Sequence, residues 1–339
     1  MSTRHFLDVD DLSCDELETV LSLASLPPGE LAPVLAGRSA ALIFEKPSAR
    51  TRSSTEVAVK SLGGHPVYIQ GSEVGMDVRE TAEDVARTMA CYHAVVCARV
   101  MDHRSLLRMA GAVDAGAERS WQGPDDAVGV RAVPVVNLLS DQAHPFQALG
   151  DVLTLRQLFG ELGGRTLCYV GDANNVWRSL AKAAAMLGMR MRTASPDGYG
   201  PDAEELAHLA VLGADMEVTD DPVEAARGAD ALYTDVWTSM GQEEEAQLRR
   251  KAFAGFCLDA TLVEAAAPRA VVMHCLPAHR GEEISAEVLE GPNSVVWRQV
   301  ANRAHAMRGL LAWILGPAGS GDASGGGGGA GGGGAETRR

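Results

Sequence analysis

The chain has 339 residues, room for two domains of ordinary size and too many for one ordinary core. Hydrophobic residues make up 46% and charged residues 22%, a balance that offsets chain entropy and excludes disorder for the body of the protein. The formal net charge of −15 argues against nucleic acid as a partner, because no basic surface neutralises its phosphates, yet a few arginines converging in a shielded pocket still suit a small anion.

The amino terminus, MSTRHFLDVDDLS, has no apolar run of the signal-peptide kind, and no later segment reaches the length of a bilayer span. No membrane association is expected, and a cytoplasmic location is. The six cysteines (Cys14, Cys91, Cys97, Cys168, Cys257 and Cys275) contain no C-x-x-C pair, so neither zinc spacing nor a disulfide framework is suggested.

In chain order, Ser13 and Glu16 form a capping-box signature ahead of Leu17, Val20, Leu21 and Ala24 at helical spacing, which predicts a first helix. The apolar run Ala40 to Phe44, the loop Lys46-Pro47-Ser48 and a helical pattern through Val57 and Leu62 read as strand, loop and helix. The alternation continues with strands at Val67 to Ile69, Ala94 to Ala98 and Val133 to Leu138 and a helix from Thr81 to Met89, the pattern of a parallel sheet covered by helices. A long helix from Pro145 to Phe159 follows. A second series of strands is expected near Thr166 to Val170, Arg190 to Ala194, Asp215 to Val218, Ala231 to Thr234 and Val271 to His274. The α/β reading is therefore two doubly wound parallel-sheet domains joined by long helices, residues 1–149 and 150–316, with the site in the cleft between them. A closing helix is expected from Ala301 to Leu315, opened by Asn302-Arg303 and packing back on the first domain. The glycine-rich tail, residues 317–339, reads as disordered.

The sharpest motif is Ser48-Ala49-Arg50-Thr51-Arg52, between a strand end and a helix start. Unpaired N–H groups, hydroxyls and guanidiniums there make an anion cradle, and a capped helix carrying surface arginines is the alternative. Arg52 also has a structural option in Glu56, four residues on. His144-Pro145-Phe146-Gln147 opens the long helix at a strand's carboxyl end, where imidazole and amide suit a planar carbamoyl group or serve as cap and packing. Arg99 ends another predicted strand, and Arg303 is a further candidate guanidinium. Gly171-Asp172-Ala173-Asn174-Asn175 lacks the G-x-G-x-x-G pattern, which disfavours a nicotinamide or flavin cofactor, while an asparagine there can donate to a carboxylate. Asp235-Val236-Trp237-Thr238-Ser239-Met240-Gly241 offers a carboxylate for an ammonium group, or is an ordinary turn. In His274-Cys275-Leu276-Pro277, neighbouring strand residues point to opposite faces, so a cysteine–histidine dyad is disfavoured.

Taken in order, FEKPSARTR, HPFQ, GDANN, TDVWTSMGQE, HCLPAHRGEE and ANRAHA resemble the ornithine carbamoyltransferases of the aspartate/ornithine carbamoyltransferase family, over about His5 to Leu315. The aspartate branch shares the first two motifs without SMG. The resemblance implies carbamoyl phosphate bound by the first domain, ornithine by the second, and no metal or organic cofactor. It also implies a homotrimer whose Ser72 to Asp77 loop reaches a neighbouring site. Position by position, it implies that Ser48, Ala49, Arg50, Thr51 and Arg99 hold phosphate, and that His144, Gln147 and Arg303 hold or polarise the carbamoyl group. Asn175, Asp235, Ser239 and Met240 would hold the ornithine carboxylate and α-amino group, while Cys275 and the Leu276 carbonyl line the point of attack. Arg99, His144, Cys275 and Arg303 are thus the expected catalytic set. Two positions depart from the family pattern, Ala49 where threonine is usual and Gly75 where glutamine or histidine is usual. They leave open a paralogous carbamoyltransferase acting on another amine, or a low-activity ligand-binding relative.

Overall fold

The computed structural model describes residues 3–118, 132–238 and 245–316. Ser239, Met240 and the tail from 317 to 339 lie outside the described residues.

The first half runs α1 (Cys14–Ser25), β1 (Ser39–Phe44), α2 (Ala49–Ser61), β2 (His65–Gln70), α3 (Gly71–Val74), α4 (Ala82–Tyr92), β3 (Val95–Arg99), α5 (His103–Glu118), β4 (Val135–Leu139) and α6 (Pro145–Phe159). Its strands form a parallel sheet in the order β2-β1-β3-β4. The second half runs β5 (Thr166–Val170), α7 (Asn175–Met186), β6 (Arg190–Ala194), α8 (Ala203–Val211), β7 (Asp215–Thr219), α9 (Pro222–Ala226) and β8 (Ala231–Thr234). It ends with α10 (Ala246–Ala252), α11 (Ala260–Ala265), β9 (Val271–His274), α12 (Ala286–Leu289) and α13 (Val296–Leu315). Its sheet is also parallel, in the order β7-β6-β5-β8-β9.

The inner strands β1 and β3 are almost wholly buried, which is why AALIF and VVCAR read as unbroken apolar runs rather than alternating ones. The first helix begins where its capping box places it, with Ser13 accepting from the Glu16 amide and Glu16 accepting from the Ser13 amide. One apolar core runs through both sheets, from Leu42 and Phe44 through Phe146, Leu149 and Leu153 of α6 to Tyr169, Tyr233 and Met273. Every residue of α6 from Pro145 to Leu155 is buried, because the helix lies between α7 and α13 beneath β4.

The strand order reverses at two points. In the first sheet, β1 and β3 are neighbours with Phe44 beside Arg99, so the loop after β1 and the end of β3 open onto one crevice. In the second, β5 and β8 are neighbours with Val170 beside Thr234, which brings GDANN against Asp235.

The closing helix departs from expectation. It starts at Val296 rather than Ala301, so Asn302 and Arg303 lie about two turns into it and do not open it. Its N-cap, Val295, makes no side-chain cap hydrogen bond, and Val-Trp-Arg-Gln carries no start signal. The extra turn buries Gln299, and α13 packs against α1, α2 and α6. Gly150 of α6 permits the approach, since a Cβ there would sit 3.2 Å from Arg303 Cγ.

Candidate active site

A cavity of about 660 Å³ lies between the carboxyl edges of the two sheets and collects residues from both. At the α2 end, the motif divides by face. Ser48 is the N-cap but makes no side-chain cap hydrogen bond; its hydroxyl instead donates to Thr51 Oγ1 at 3.2 Å. Arg303 Nη2 donates to the same Thr51 oxygen at 2.7 Å, and Arg50 Nη2 donates across the cleft to the Leu276 carbonyl at 2.8 Å. Arg52 takes its structural option, pairing with Glu56 at 2.8 Å and stacking 3.8 Å from the Tyr68 ring centroid. Ser48, Ala49, Arg50 and Thr51 thus line the cavity and Arg52 does not.

Arg99 and Arg303 are buried beside Arg50, and burial with like-charge repulsion pushes each down to about 10. Both therefore stay protonated at neutral pH. His144 is held well below its ordinary value, by burial first and then by Arg303, Arg99 and Arg50, so it presents a neutral imidazole. Among the described residues, the buried atoms Arg50 Nε, His144 Nδ1, Gln147 Oε1 and Arg303 Nε have no hydrogen-bond partner. Buried polar atoms left unmet at one point are costly, and a planar anionic ligand with N–H and C=O groups would meet them.

The opposite wall is built on Asp235, which directly follows β8. Its Oδ1 accepts from the Val236 amide and from Cys275 Sγ, each at 2.7 Å, and its Oδ2 accepts from Asn174 Nδ2 at 2.9 Å. Asn174 is itself the N-cap of α7. Burial and the Asp235 charge hold the Cys275 thiol well above its usual range, in keeping with its donating to Asp235 as a thiol. His274 turns away, with Nε2 3.0 Å from Glu283 Oε1 and Nδ1 accepting from the Leu276 amide at 2.8 Å. Leu276 has φ +58°, a rare backbone for a branched residue, and its carbonyl faces Arg50.

Of the sequence candidates, Ser48, Ala49, Arg50, Thr51, Arg99, His144, Gln147, Asn175, Asp235, Cys275, Leu276 and Arg303 share this cavity. Asn175 donates to the Ser140 carbonyl at 2.6 Å, tying α7 to the loop after β4. Sequence reasoning missed Asn174 as the asparagine that meets Asp235. It also missed Asp172, which pairs with Arg249 at 2.6 Å while Arg249 donates to the Trp237 carbonyl at 3.1 Å. Nothing in Arg249-Arg250-Lys251 separates the inward arginine from its neighbours; only the packing of α10 does.

Two family profiles match the chain, both of aspartate/ornithine carbamoyltransferase: the carbamoyl-P binding domain over residues 4–157 and the Asp/Orn binding domain over residues 163–314. The ornithine carbamoyltransferase of Acidothermus cellulolyticus is 47% identical over 325 residues, spanning 93% of this chain and 98% of the relative. The anabolic ornithine carbamoyltransferase of Pyrococcus furiosus is 40% identical over 325 residues, spanning 93% and 98%. A solved ornithine carbamoyltransferase from Pyrococcus furiosus has the same fold, with a TM-score of 0.83 at 40% identity over 93% of this chain and 98% of that one.

Proposed function

Because the chain belongs to the aspartate/ornithine carbamoyltransferase family, we propose that it transfers the carbamoyl group of carbamoyl phosphate to the side-chain amine of L-ornithine, giving L-citrulline and phosphate. The observation that carries this reading is one cavity in which Arg50, Arg99 and Arg303 surround a neutral His144 and face the Asp235–Cys275 wall. A C–N bond forms as the C–O bond to phosphate breaks, and the proton given up by the amine balances the charge that leaves on phosphate. Arg50, Arg99 and the α2 terminus stabilise charge moving onto phosphate, while His144 and Arg303 meet the oxyanion. Gln147 Oε1 accepts from the carbamoyl N–H, and Asp235 with Ser239 and Met240 takes the α-amino group. Holding both substrates across one cleft turns a bimolecular attack into a local one.

In the same reading, residues 1–149 bind carbamoyl phosphate and residues 150–316 bind ornithine, in a cytoplasmic homotrimer serving arginine synthesis. The anabolic relative supports the pathway. The Ser72 to Asp77 segment, expected as a loop, begins within α3 and is braced at its far end by Arg108, which pairs with both Asp77 and Glu83. A citrulline assay on purified protein with carbamoyl phosphate and ornithine tests the reaction. Bound carbamoyl phosphate without citrulline would identify a ligand-binding relative instead, and turnover of another amine over ornithine would identify a paralogue.

The two departures have different physical weight. Ala49 is the first residue of α2, so Ala49→Thr adds a hydroxyl without disturbing the helix start. The Michaelis constant for carbamoyl phosphate is expected to fall by roughly three- to tenfold if that hydroxyl recovers one hydrogen bond. An unchanged constant would show the alanine to be neutral. Gly75 caps α3 at φ +58°, and a Cβ there would lie 2.9 Å from Arg79 Cβ. A glutamine at Gly75 would hold its backbone in the left-handed region at a cost of about 1–2 kcal/mol and press on Arg79 as well, so glycine suits this turn.

A further inference from the structure

Beneath the carbamoyl end of the cleft lies a buried carboxylate that the reaction as described does not use. Asp151 is fully buried on α6, one turn after Gln147. Its Oδ1 accepts from Gln147 Nε2 at 2.7 Å and from Gln299 Nε2 at 2.8 Å, and its Oδ2 accepts from the Tyr233 hydroxyl at 2.9 Å. Gln299 in turn accepts from the His274 amide at 3.0 Å, so its own amide cannot turn over. Burial pushes the Asp151 carboxyl up to about 6, and its three partners, Gln147, Gln299 and Tyr233, are all donors to its two oxygens, so it serves as an acceptor. Keeping a carboxylate buried is costly unless donors surround it, so the three donors here, Gln147 among them, point to its purpose.

The purpose follows from the other end of the Gln147 side chain. With Nε2 committed to Asp151, the atom left over is Oε1, which is buried, unpartnered among the described residues and part of a side chain lining the cavity. A glutamine amide is symmetric in shape and can present either N–H or C=O, so something must choose. We propose that Asp151 is the positioning residue that makes this choice, holding Gln147 Nε2 so that Oε1 faces the carbamoyl N–H. The inference rests on carbamoyl phosphate being the ligand. What it adds is a reason for a charged residue beneath the site and a mechanism for selecting the carbamoyl group over bare phosphate.

The test compares binding of carbamoyl phosphate with binding of inorganic phosphate, by calorimetry on the full chain, so that it does not depend on turnover. In Asp151→Leu, accepting the carbamoyl N–H on Oε1 strands Nε2 against an apolar side chain. The dissociation constant for carbamoyl phosphate is expected to rise by about tenfold or more, the effect of a stranded buried donor, while that for phosphate stays within about twofold. Asp151→Asn keeps an acceptor oxygen toward Gln147 and Gln299 and offers its N–H to the Tyr233 oxygen, so both constants should stay within about threefold of wild type. Asp151→Met is the second apolar variant should leucine not fold. The inference is overturned if the apolar variant weakens both ligands alike, if it weakens neither, or if asparagine is as harmful as leucine. A wild type that binds carbamoyl phosphate normally yet makes no citrulline would remove the proposed reaction and leave these binding comparisons standing.

Discussion

Arg50→Ala is expected to lower turnover by at least about a hundredfold, because catalytic charge stabilisation of this kind is worth roughly 3 kcal/mol or more. The side chain enters the cavity from the first turn of α2, beside hydroxyls of Ser48 and Thr51, and its Nη2 reaches the Leu276 carbonyl on the opposite wall at 2.8 Å. The substitution therefore removes two things, a guanidinium facing the leaving phosphate and a contact between the two sheets' loops. Helix α2 itself should persist, since Thr51, Thr55, Ala58 and Val59 carry its buried face. The expected signature is a loss in both kcat and carbamoyl phosphate affinity with the fold kept and the melting temperature lowered by no more than about 4 °C, the scale of one lost hydrogen bond. Near-normal turnover would take Arg50 out of the mechanism.

Asp235→Asn should weaken ornithine far more than carbamoyl phosphate. Among the described residues, the three contacts to this carboxylate are all donors: the Val236 amide, the Cys275 thiol and the Asn174 amide. An asparagine must turn an N–H toward one of them and offers no charge to an α-ammonium group. Loss of a charged hydrogen bond, roughly 1.5–3 kcal/mol, translates into about a ten- to hundredfold rise in the ornithine Michaelis constant. Carbamoyl phosphate, held at the other wall, should bind as in wild type. Putrescine keeps an ammonium at the place of ornithine's α-ammonium and lacks only the carboxylate, so the variant should weaken both amines alike; a variant that lost ornithine and kept putrescine would show that Asp235 does not hold the α-ammonium group.

Much of the site was legible because each motif carries its own local physics. A strand of continuous apolar residues followed by SARTR, or by HP at a helix start, implies a buried parallel strand whose carboxyl end meets a helix amino terminus, whatever lies elsewhere in the chain. The strand boundaries of Thr166–Val170, Ala231–Thr234 and Val271–His274 follow from the same cause, while Arg190–Ala194 starts with the alternating burial of a half-covered strand. So does the exclusion of a cysteine–histidine dyad, since His274 and Cys275 turn to different partners.

Tertiary structure alone decided what depends on contacts between distant segments. The start of α13 at Val296 follows from burying Val296 and Gln299, since no capping residue announces it. Arg249 belongs to the site because it meets Asp172 from far along the chain, and Asn174 rather than Asn175 meets Asp235 because of where the α7 cap falls. The charge state of His144 required its burial first and then the convergence of Arg303, Arg99 and Arg50, and the role proposed for Asp151 required Gln299 and Tyr233 beside it. Local sequence sets helix caps, strand type and backbone turns, because those energies involve neighbours within a few residues. Protonation states, and the direction in which an amide points, are set by burial and by charges that only the folded chain brings together.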